Sequence, residues 1–489
     1  MSDLDLTDAD WNVDYVNGEY RSPGDRDTID VDDPSTRDHF VSVPAGTHSD
    51  VEDAYEAAAD AQADWAATSP QQRASVVRSV RDLLKAHRDD VLELLATESG
   101  STQTKGFAEF YTSVGITGEA ASFPTRTSGD HRQSTVEGKE NLVVREPQGV
   151  VGVISPWNFP LNLSIRAVAP AIALGNSVVL KPASSTPVTG GLLLAKLFEA
   201  AGLPDGVLNV VTGHGSDIGD AVAGDPRADV VSFTGSTPVG REVAATAGQN
   251  LALPAMELGG NNVHVVTDDA DLDQAVDSGV FGSFLHSGQV CISINRHLVH
   301  EAVYDEYVRK LTERADALPA GSAHEGDTIV GPIIDESQRD KILDYVEETV
   351  DAGATLETGG GHDGLVVEPT VLSDATNDMA AACNEHFGPV APVIPFSDDD
   401  EAVALANDTE YGLSGSVHAS DLGRARDIAD RIDTGMIHIN DQPINDEPHL
   451  PFGGYKDSGI GRYNGEAIMN ELTQEKWISI QRDARDYPF

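Results

Sequence analysis

The first hundred residues have the apolar spacing of amphipathic helices. One helix is predicted to begin at a capping box in residues 49–52, and its apolar face repeats about every 3.6 residues. A second is predicted to begin at Ser69-Pro70, because serine is a favoured N-cap and proline fits the first helical turn. The predicted buried positions are Val51, Ala54, Ala58, Ala61 and Trp65 in the first helix, and Val76, Val80, Leu84, Val91 and Leu95 in the second.

From about residue 150 the pattern changes to short, unbroken apolar runs separated by helical segments. The first series has runs at 150–154, 178–180, 207–211 and 230–233, with helices at 189–199 and about 237–247. A second series runs from residue 262 to about 440, with runs at 263–266, 298–299, 393–396 and 436–440. Unbroken apolar strands alternating with helices are typical of parallel sheets covered on both faces, so the sequence predicts two α/β units. Residues 125–141 and 475–481 match neither pattern, and we expect strands of an arm or an interface there.

The charge balance excludes several classes of partner. The 489 residues carry a net charge of −49, whereas nucleic acid and anionic membranes require a basic face. Disorder is also excluded, because 40% of the residues are hydrophobic and well patterned. We interpret the acidity as that of an intracellular protein of a high-salt organism, with an ordinary acidic mesophilic protein as the alternative. Full structure and activity in dilute buffer would contradict the high-salt interpretation.

The cysteines and the start of the chain predict a cytoplasmic protein. Two cysteines cannot form a disulfide framework, and they fit a reducing compartment. The first five residues are acidic and contain no hydrophobic signal region. The longest uncharged stretch, near residues 147–165, contains two prolines and two asparagines, so no membrane span is predicted there.

Cys291 is the first candidate for chemistry. It lies in a turn of small residues, Ser287-Gly288-Gln289-Val290-Cys291, which would expose its side chain and backbone N–H groups. A thiol becomes a good nucleophile where a base or a helix N-terminus favours the thiolate. The alternative for Cys291 is a buried small hydrophobic residue, and that is what we expect for Cys383.

Three other candidates follow apolar strands. Glu257, flanked by apolar residues and two glycines, could have a raised pKa and act as a general base; a solvated acid is the alternative. The Asn158 amide could donate to an oxyanion, although a simple turn asparagine between prolines fits as well. Lys181 could hold a ribose or phosphate, with an exposed strand-end lysine as the alternative. The glycine-rich segment 235–240 precedes a helix and could meet a pyrophosphate, but it is not the G-x-G-x-x-G motif.

Together these residues resemble one family. The chain is similar over nearly its whole length to the NAD(P)-dependent aldehyde dehydrogenases, with seven motifs in family order and at family spacing. The motifs are Ser155–Pro160 (SPWNFP), Leu180–Ala183 (LKPA), Phe233–Ser236 (FTGS), Glu257–Gly260 (ELGG), Gly288–Cys291 (GQVC), Glu385–Pro389 (EHFGP) and Pro451–Gly454 (PFGG).

The resemblance implies covalent catalysis. Cys291 would attack the aldehyde carbonyl, and the oxyanion would lie between the Asn158 amide and the Cys291 backbone N–H. Hydride transfer would leave a thioester, and Glu257 would activate water to release the carboxylic acid. Because relatives that pass the acyl group to coenzyme A typically lack this glutamate, hydrolysis is favoured over that alternative. An inactive dehydrogenase scaffold with a binding role is the competing reading, and the presence of all three residues disfavours it.

The resemblance also implies an NAD or NADP site. Lys181 would reach the adenosine ribose or its phosphate, Gly215 and Ser236 the adenine and pyrophosphate, and Glu385 the nicotinamide ribose, with Phe387 near the nicotinamide. The other implied cofactor residues are Ile154, Ser155, Pro156, Trp157, Ser184, Phe233, Gly235, Gly240 and Leu258. Ser184 stands where many NAD-preferring members have a glutamate that repels a 2′-phosphate, so we predict that NADP is accepted.

The implied substrate is an aromatic or otherwise apolar aldehyde. Arg166 matches one of two arginines of succinate-semialdehyde enzymes, but Leu285 occupies the place of the second. The carboxylate of a dicarboxylic semialdehyde would therefore meet one arginine instead of two. Segments 162–166, 284–287 and 440–449 look more like benzaldehyde, vanillin and salicylaldehyde dehydrogenases. A succinate-semialdehyde type or a broad aliphatic enzyme is the alternative, and Arg166 could instead form a structural ion pair. The implied pocket residues are Phe159, Leu163, Arg166, Val290, Ile292 and Phe452, and no metal is implied.

The implied fold is α/β, with a Rossmann-like cofactor domain, an α/β catalytic domain and a small β-strand oligomerisation element. We predict the cofactor domain at residues 1–124 and 148–256, the catalytic domain at 257–459, and the bridging element at 125–147 and 460–489. That element would join subunits into homodimers or homotetramers.

Overall fold

The structure is a computed structural model that describes residues 4, 6 and 9–489. The prediction for the first five residues lies, Leu4 apart, outside the described residues. The strands in chain order are β1 (Asp14–Val16), β2 (Glu19–Arg21), β3 (Thr28–Asp32), β4 (His39–Pro44), β5 (Asp130–Gln133), β6 (Lys139–Pro147), β7 (Val150–Ile154), β8 (Ser177–Lys181), β9 (Leu208–Val210), β10 (Val230–Thr234), β11 (Leu253–Glu257), β12 (Asn262–Val266), β13 (Ile294–His300), β14 (Thr355–Thr358), β15 (His362–Asp363), β16 (Val366–Val367), β17 (Thr370–Ser373), β18 (Val390–Phe396), β19 (Tyr411–Gly412), β20 (Gly415–His418), β21 (His438–Ile439), β22 (Tyr455–Lys456), β23 (Gly459–Ile460) and β24 (Thr473–Gln481).

The helices cover the faces of these sheets. In chain order they are α1 (His48–Ala67), α2 (Pro70–Ala86), α3 (Arg88–Ser99), α4 (Gln103–Ala120), α5 (Phe123–Arg126), α6 (Pro160–Leu174), α7 (Leu193–Ala200), α8 (Gly215–Gly224), α9 (Thr237–Gln249), α10 (Leu272–Phe284), α11 (Tyr304–Asp316), α12 (Glu336–Asp351), α13 (Ala380–Cys383), α14 (Asp399–Asn407), α15 (Leu422–Ala429) and α16 (Gly465–Glu471). Among the described residues, no helix combines the length and the apolar character needed to cross a membrane.

The first large sheet has eight strands in the order β2-β1-β9-β8-β7-β10-β11-β23. Strands β7 to β11 run parallel to one another, and β1, β2 and β23 add antiparallel edges. In β7, Val151 and Val153 pack into one apolar core, while Val150 and Ile154 pack into a second core on the opposite face. Alternate side chains of an unbroken apolar strand thus fill both faces, and this confirms the predicted covered parallel sheet.

The second large sheet has seven strands in the order β14-β17-β18-β13-β12-β20-β21. All neighbours in it are parallel except the edge pair β14 and β17. This confirms a second α/β unit and the predicted α/β fold class. The domain boundaries themselves stay a prediction.

A separate three-stranded sheet has the order β24-β6-β5. Strand β24 pairs antiparallel with β6 from Thr473↔Pro147 to Gln481↔Lys139, so both polar segments that matched no α/β pattern contain strands, as predicted. The first two residues of segment 125–141 end helix α5 instead. Apolar side chains on β24, among them Trp477 at 67% exposure, face outward in the single chain.

Both predicted helix assignments in the first hundred residues need correction. The N-cap of α1 is Thr47 rather than Ser49, and a capping box joins Thr47 to Asp50. Threonine is also a favoured N-cap residue, and α1 begins two residues earlier than predicted. The second predicted helix is two helices: α2 ends at Ala86, and the backbone leaves helical geometry at His87. Val91 and Leu95 are buried as expected, but on α3.

Two boundaries in the α/β part also differ. The helix predicted at 189–199 begins as a π-helical turn, Val188–Leu192, before α7. Glu98 accepts hydrogen bonds from the Val188 and Thr189 N–H groups at 2.7 Å, which explains how this wider turn is held. The run predicted at 436–440 pairs in the sheet only over β21, because its neighbour β20 is itself four residues long.

Candidate active site

The carboxyl ends of four parallel strands bring the first candidates to one edge. In the order β8, β7, β10 and β11, the register aligns Lys181 with Ile154, Ile154 with Phe233, and Thr234 with Glu257. The chain moves outward from β7 in both directions, so a crevice opens where the strand order reverses. Ligands of open α/β sheets bind at such a switch point.

The turn that carries Cys291 has an unusual backbone. His286 and Ser287 have φ values of 52° and 55°, and Gly288 follows with φ of 72°. A Cβ on Gly288 would lie 2.0 Å from the Gly388 carbonyl oxygen, so only glycine fits there. Side-chain hydrogen bonds hold the turn: Ser287 Oγ donates to the Gly331 carbonyl at 2.8 Å, and Gln289 Nε2 donates to that of Pro332 at 3.2 Å. Because non-glycine residues rarely adopt positive φ, this turn stores strain beside the nucleophile candidate.

Asn158 is tied to the same turn. Its side-chain Nδ2 donates to the Gln289 carbonyl oxygen at 2.9 Å, and the residue is buried. One amide hydrogen is thereby used, and the second remains for another acceptor. The structure thus places the Asn158 amide beside the Cys291 turn.

Cys291 lies between two cavities and lines both. The residue is half-buried, and burial, with the nearby Glu385 carboxylate, raises the pKa of its thiol to about 12. The sulfur is therefore protonated at neutral pH in this state, contrary to a preformed thiolate. The expectation of a buried Cys383 is wrong: it is exposed, because it ends the short helix α13 whose apolar side is formed by Ala381 and Ala382.

Glu257 is buried, so the alternative of a solvated acid is wrong. Neither carboxylate oxygen has a hydrogen-bond partner within the described part of the chain. Burial raises the pKa of Glu257 well above its ordinary value, although Arg166 and Arg462 oppose the shift. Gly453, with φ of 149°, leaves room for it, since a Cβ there would lie 2.7 Å from Glu257 Oε1. A buried carboxyl group with a raised pKa is a candidate for proton exchange with a substrate or a water molecule.

The first cavity collects all six residues of the predicted substrate pocket around Cys291. It is mainly apolar. Sequence reasoning missed the lining residues of α4 and α10, whereas the other additional residues are Asn158 or lie in segments that it had related to aromatic-aldehyde enzymes. The lining residues are Phe159, Leu163, Arg166, Val290, Ile292 and Phe452, joined by Ala108, Glu109, Thr112, Asn158, Asn162, Phe281, Leu285, Ile444 and Asp446.

Arg166 is both an ion-pair partner and a lining residue. It forms a salt bridge with Asp446, and its guanidinium lies 4.2 Å from the centre of the Phe452 ring. Its Nη2 also donates to Asn162 Oδ1 at 3.3 Å. The structural ion pair considered as an alternative is therefore present, in the wall of the cavity itself.

The second cavity lies on the other side of Cys291. It collects seven of the predicted cofactor residues. Sequence reasoning missed two polar residues, Gln338 and Lys341, because they belong to an ordinary amphipathic helix, α12, far from every motif. The predicted residues that line it are Pro156, Trp157, Gly235, Ser236, Leu258, Glu385 and Phe387.

Several predicted cofactor residues do not line this cavity, and some have packing roles instead. Ser155 Oγ accepts a hydrogen bond from Ser164 Oγ at 2.7 Å. Gly240 allows α9 to approach β11, since a Cβ there would lie 2.2 Å from Leu258. The predicted residues outside the lining are Ile154, Ser155, Lys181, Ser184, Gly215, Phe233 and Gly240.

Lys181 is buried, so the alternative of an exposed lysine is wrong. Its Nζ donates to the Pro182 carbonyl oxygen at 3.0 Å, and burial lowers its pKa to about 8. A buried ammonium held only by a carbonyl suits an additional anionic or hydroxyl partner.

The second cavity suits a nicotinamide dinucleotide. Ser236 is the N-cap of α9, whose first N–H groups and helix dipole favour a pyrophosphate. Glu385 Oε1 accepts from the Gly260 N–H at 3.0 Å, which fixes a carboxylate suited to ribose hydroxyls. Phe387 and Trp157 meet edge to face at 5.5 Å and form an apolar wall for a flat ring. Within the described ranges, no group of three or more ligating side chains is placed to hold a metal ion.

Comparisons with known proteins agree with this arrangement. The profile of the aldehyde dehydrogenase family matches residues 20–478. The chain is 48% identical over 436 residues to a vanillin dehydrogenase of Corynebacterium glutamicum, covering 89% of this chain and 90% of the relative. It is 44% identical over 460 residues to an NAD(+) benzaldehyde dehydrogenase of Pseudomonas putida, covering 94% of each. A crystal structure of betaine aldehyde dehydrogenase from Staphylococcus aureus in complex with NAD+ superposes with a TM-score of 0.95 at 33% identity, covering 98% of this chain and 96% of that one.

Proposed function

The chain belongs to the aldehyde dehydrogenase family, and from this premise we propose that it oxidises aromatic aldehydes to carboxylic acids with NAD. The observation that carries the proposal is the position of Cys291. Its side chain forms a wall shared by an apolar cavity and a second cavity suited to a dinucleotide. A nucleophile in that position can hold the aldehyde carbon at the boundary between the substrate cavity and the cofactor cavity.

The reaction begins at the sulfur. The Cys291 thiol releases its proton to solvent water, and its sulfur bonds to the carbonyl carbon. The second C–O bond opens at the same time, so the resulting thiohemiacetal carries negative charge on its oxygen. The free hydrogen of the Asn158 amide and the Cys291 backbone N–H stabilise that oxyanion. A nicotinamide dinucleotide held beside Glu385 and Phe387 would supply an acceptor for the hydride that leaves the former aldehyde carbon.

Release of the product falls to Glu257. The thioester carbon is attacked by water, whose proton passes to a base, and the C–S bond breaks to return the sulfur to Cys291. Glu257 is a buried carboxyl group with both oxygens unpartnered in the described structure, and burial raises its pKa, which increases its basicity. These features support hydrolysis over transfer of the acyl group to coenzyme A.

The substrate is assigned from the wall of the first cavity and from the relatives. Six apolar side chains, Phe159, Leu163, Phe281, Leu285, Val290 and Phe452, face a ring-sized space. Arg166 is neutralised by Asp446, so the cavity offers no free cation for a second carboxylate. This favours aromatic aldehydes over the succinate-semialdehyde alternative, and the vanillin and benzaldehyde enzymes among the relatives support the same choice.

NADP acceptance is a further part of the proposal. Ser184 adds no negative charge at the position where many NAD-preferring members carry glutamate. Lys181, three residues earlier at the end of β8, supplies a buried ammonium. Neither group repels a 2′-phosphate.

We also propose a cytoplasmic homodimer or homotetramer adapted to high salt. The outward apolar side chains Trp477, Ile478 and Ile480 of β24 support an oligomeric arm, with the domain division given above. The free cysteines suit a reducing compartment, and the net charge of −49 suits concentrated salt.

The test is a panel of aromatic, aliphatic and dicarboxylic aldehydes with NAD or NADP in molar salt, followed by the absorbance of the reduced nicotinamide. We expect benzaldehydes to give free acid, with a mass adduct on Cys291 in trapped turnover samples. No oxidation of any aromatic aldehyde, or a coenzyme A thioester as the product, would overturn the proposal.

A further inference from the structure

A buried hydrogen bond closes the chain segment that carries Cys291. Ser283 lies in the last turn of α10, which precedes the nucleophile, and His297 lies on β13, which follows it. Ser283 Oγ and His297 Nε2 are 2.8 Å apart, although the two residues are separated by 14 positions in the chain. The bond therefore ties the helix before Cys291 to the strand after it.

Both ring nitrogens of His297 are engaged. Its Nδ1 lies 2.8 Å from the hydroxyl oxygen of Tyr307 on α11, and the side chains of Ser283, His297 and Tyr307 are all fully buried. Burial lowers the pKa of His297 to about 3, so the ring is neutral at neutral pH. A neutral imidazole has one nitrogen that donates and one that accepts, and a hydroxyl group can meet either. The two hydroxyl groups thus hold the ring in one orientation.

Histidines on three neighbouring strands contact α10 along its length. His264 Nε2, on β12, lies 3.0 Å from the Ala275 carbonyl oxygen, and His418 Nε2, on β20, lies 3.1 Å from Ser278 Oγ. The third contact is that of His297 on β13, and it is the one that reaches the last turn of the helix. Of the three, it is therefore the contact placed to influence the turn that follows α10.

That turn needs support because two of its non-glycine residues have positive φ values. Strained backbone persists only where its surroundings hold it. The middle of the turn is held by the hydrogen bonds of Ser287 and Gln289 described above, and Ser283 is the anchor on the side of the helix. Without this anchor, the strained residues relax toward ordinary φ values and move Cys291 relative to the Asn158 amide.

We propose that His297 and Ser283 are positioning residues for Cys291, and that their hydrogen bond keeps the sulfur where it attacks the aldehyde. The inference rests on the proposed oxidation of aromatic aldehydes. Among the described residues, the lining of the cofactor cavity contains none from α10, so binding of NAD does not depend on this bond. A purely structural role would change stability alone, whereas positioning changes kcat at unchanged KM for NAD.

The first experiment compares two serines of α10 in the intact enzyme. Ser283→Ala removes the bond to His297, and Ser278→Ala, the matched control, removes a bond to His418 earlier in the same helix. With benzaldehyde and NAD, we expect Ser283→Ala to lower kcat by about 10- to 100-fold and to change KM for NAD by less than about twofold. We expect Ser278→Ala to retain kcat within about threefold.

A second readout needs no aldehyde. Iodoacetamide alkylates the cysteines of the resting enzyme, and mass spectrometry gives a rate for each; Cys383 is the internal reference because it is exposed on α13. We expect the ratio of the Cys291 rate to the Cys383 rate to change by about fivefold or more in Ser283→Ala, because the reactivity of a thiol depends on its surroundings. In Ser278→Ala the ratio should keep its wild-type value.

Two substitutions of His297 separate its two hydrogen bonds. The amide of glutamine reaches the position of Nε2, beside Ser283, whereas that of asparagine reaches the position of Nδ1, beside Tyr307. We therefore expect His297→Gln to retain kcat within about threefold and His297→Asn to lose as much as Ser283→Ala. Urea unfolding measures the stability of each variant separately, and kcat is compared per folded enzyme.

The outcomes separate this inference from the proposed function. If the enzyme oxidises no aromatic aldehyde, the proposed function fails, and the alkylation ratios still test the position of Cys291. The inference is overturned if Ser283→Ala lowers only the urea midpoint, with kcat and the alkylation ratio at wild-type values. Equal kcat in the two His297 variants, or an equal loss in the two serine variants, also overturns it, because the bond to Ser283 would then not be the source of the effect.

Discussion

The two cavities that meet at Cys291 treat charge in opposite ways. On the substrate side, each charged group of the wall has a partner of opposite sign, as Arg166 has Asp446 and Glu109 has Lys105. On the cofactor side, Glu385 accepts from a single backbone N–H, and Lys181, which lies outside the cavity lining, is held only by a backbone carbonyl. The first arrangement suits a neutral molecule, because the charges of the wall are already paired. The second leaves charged groups ready for a ligand that is itself charged.

The pKa values express the same difference. Burial lowers the pKa of Lys181 to about 8 and raises that of Glu385 to about 7, so both groups of the cofactor side titrate close to neutral pH. Binding a charged ligand can therefore change their protonation. The charges on the wall of the substrate cavity are paired, so the electrostatic character of that cavity is fixed. The groups on the cofactor side can change protonation when a charged ligand binds.

Replacing Cys291, which lines both cavities, should have the largest effect on activity. Cys291→Ala eliminates the covalent step, and we expect kcat/KM for benzaldehyde to fall by about 10⁴-fold or more. Initial rates of nicotinamide reduction measure it. Cys383→Ala is the matched control, because that thiol is exposed on α13, and it should retain full activity. Equal losses in the two variants would contradict the assignment of the nucleophile.

The next effect concerns the buried carboxyl group of Glu257. Glu257→Gln keeps the size of the side chain but removes the base, so we expect steady-state turnover to fall by about 10²- to 10³-fold. The first turnover should still reduce one equivalent of cofactor, with a thioester on Cys291 detectable by mass spectrometry. A variant that loses the burst together with steady-state turnover would place Glu257 in an earlier step.

A change of charge on the cofactor side should be smaller and selective. Ser184→Glu introduces a carboxylate where a 2′-phosphate would lie, and we expect kcat/KM for NADP to fall by roughly 10- to 100-fold while that for NAD changes little. Ser184→Ala serves as the size control and should reduce neither by more than a fewfold. If Ser184→Glu leaves kcat/KM for NADP unchanged, residues other than Ser184 determine whether a 2′-phosphate is accepted.

The smallest effect is a pH dependence confined to the cofactor side. Lys181 is charged below its pKa of about 8 and neutral above it, and only the charged form attracts a phosphate. The kcat/KM for NADP should therefore fall as pH rises, by about tenfold between pH 7 and pH 9, and that for NAD should fall less. In Lys181→Arg, whose charge does not titrate in this range, the inflection near pH 8 should vanish. The KM for the aldehyde should show no such step, since Arg166 and Asp446 stay paired.

Much of the molecule could be predicted from local patterns. The apolar runs of the first series located β7, β8, β9 and β10. The candidates Asn158, Lys181 and Glu257 lie at or just beyond strand ends and share one edge because parallel strands end together. The two polar segments were correctly expected to be strands. Helix boundaries were less accurate: Thr47 and Ser49 are equally plausible caps, and the apolar stripe continues through the break at His87 since both helices cover the same core.

Other features depended on residues that lie far apart in the chain. Gln338 and Lys341 line the cofactor cavity from a helix that carries no motif. The exposure of Cys383 depends on how a four-residue helix sits on its neighbours, and burial of Lys181 on what covers the end of its strand. None of these properties leaves a periodic trace in the sequence.

By itself, the sequence determined which chemical groups are present and at which strand ends they lie, because side-chain alternation and parallel pairing follow from neighbouring residues. The tertiary structure alone decided which of those groups neutralise one another. Arg166 and Asp446 are 280 residues apart, and their pairing turns a cavity that could have held a carboxylate into one that accepts a neutral ring. Electrostatic character depends on distances through space and on burial, and neither is encoded in the local order of residues.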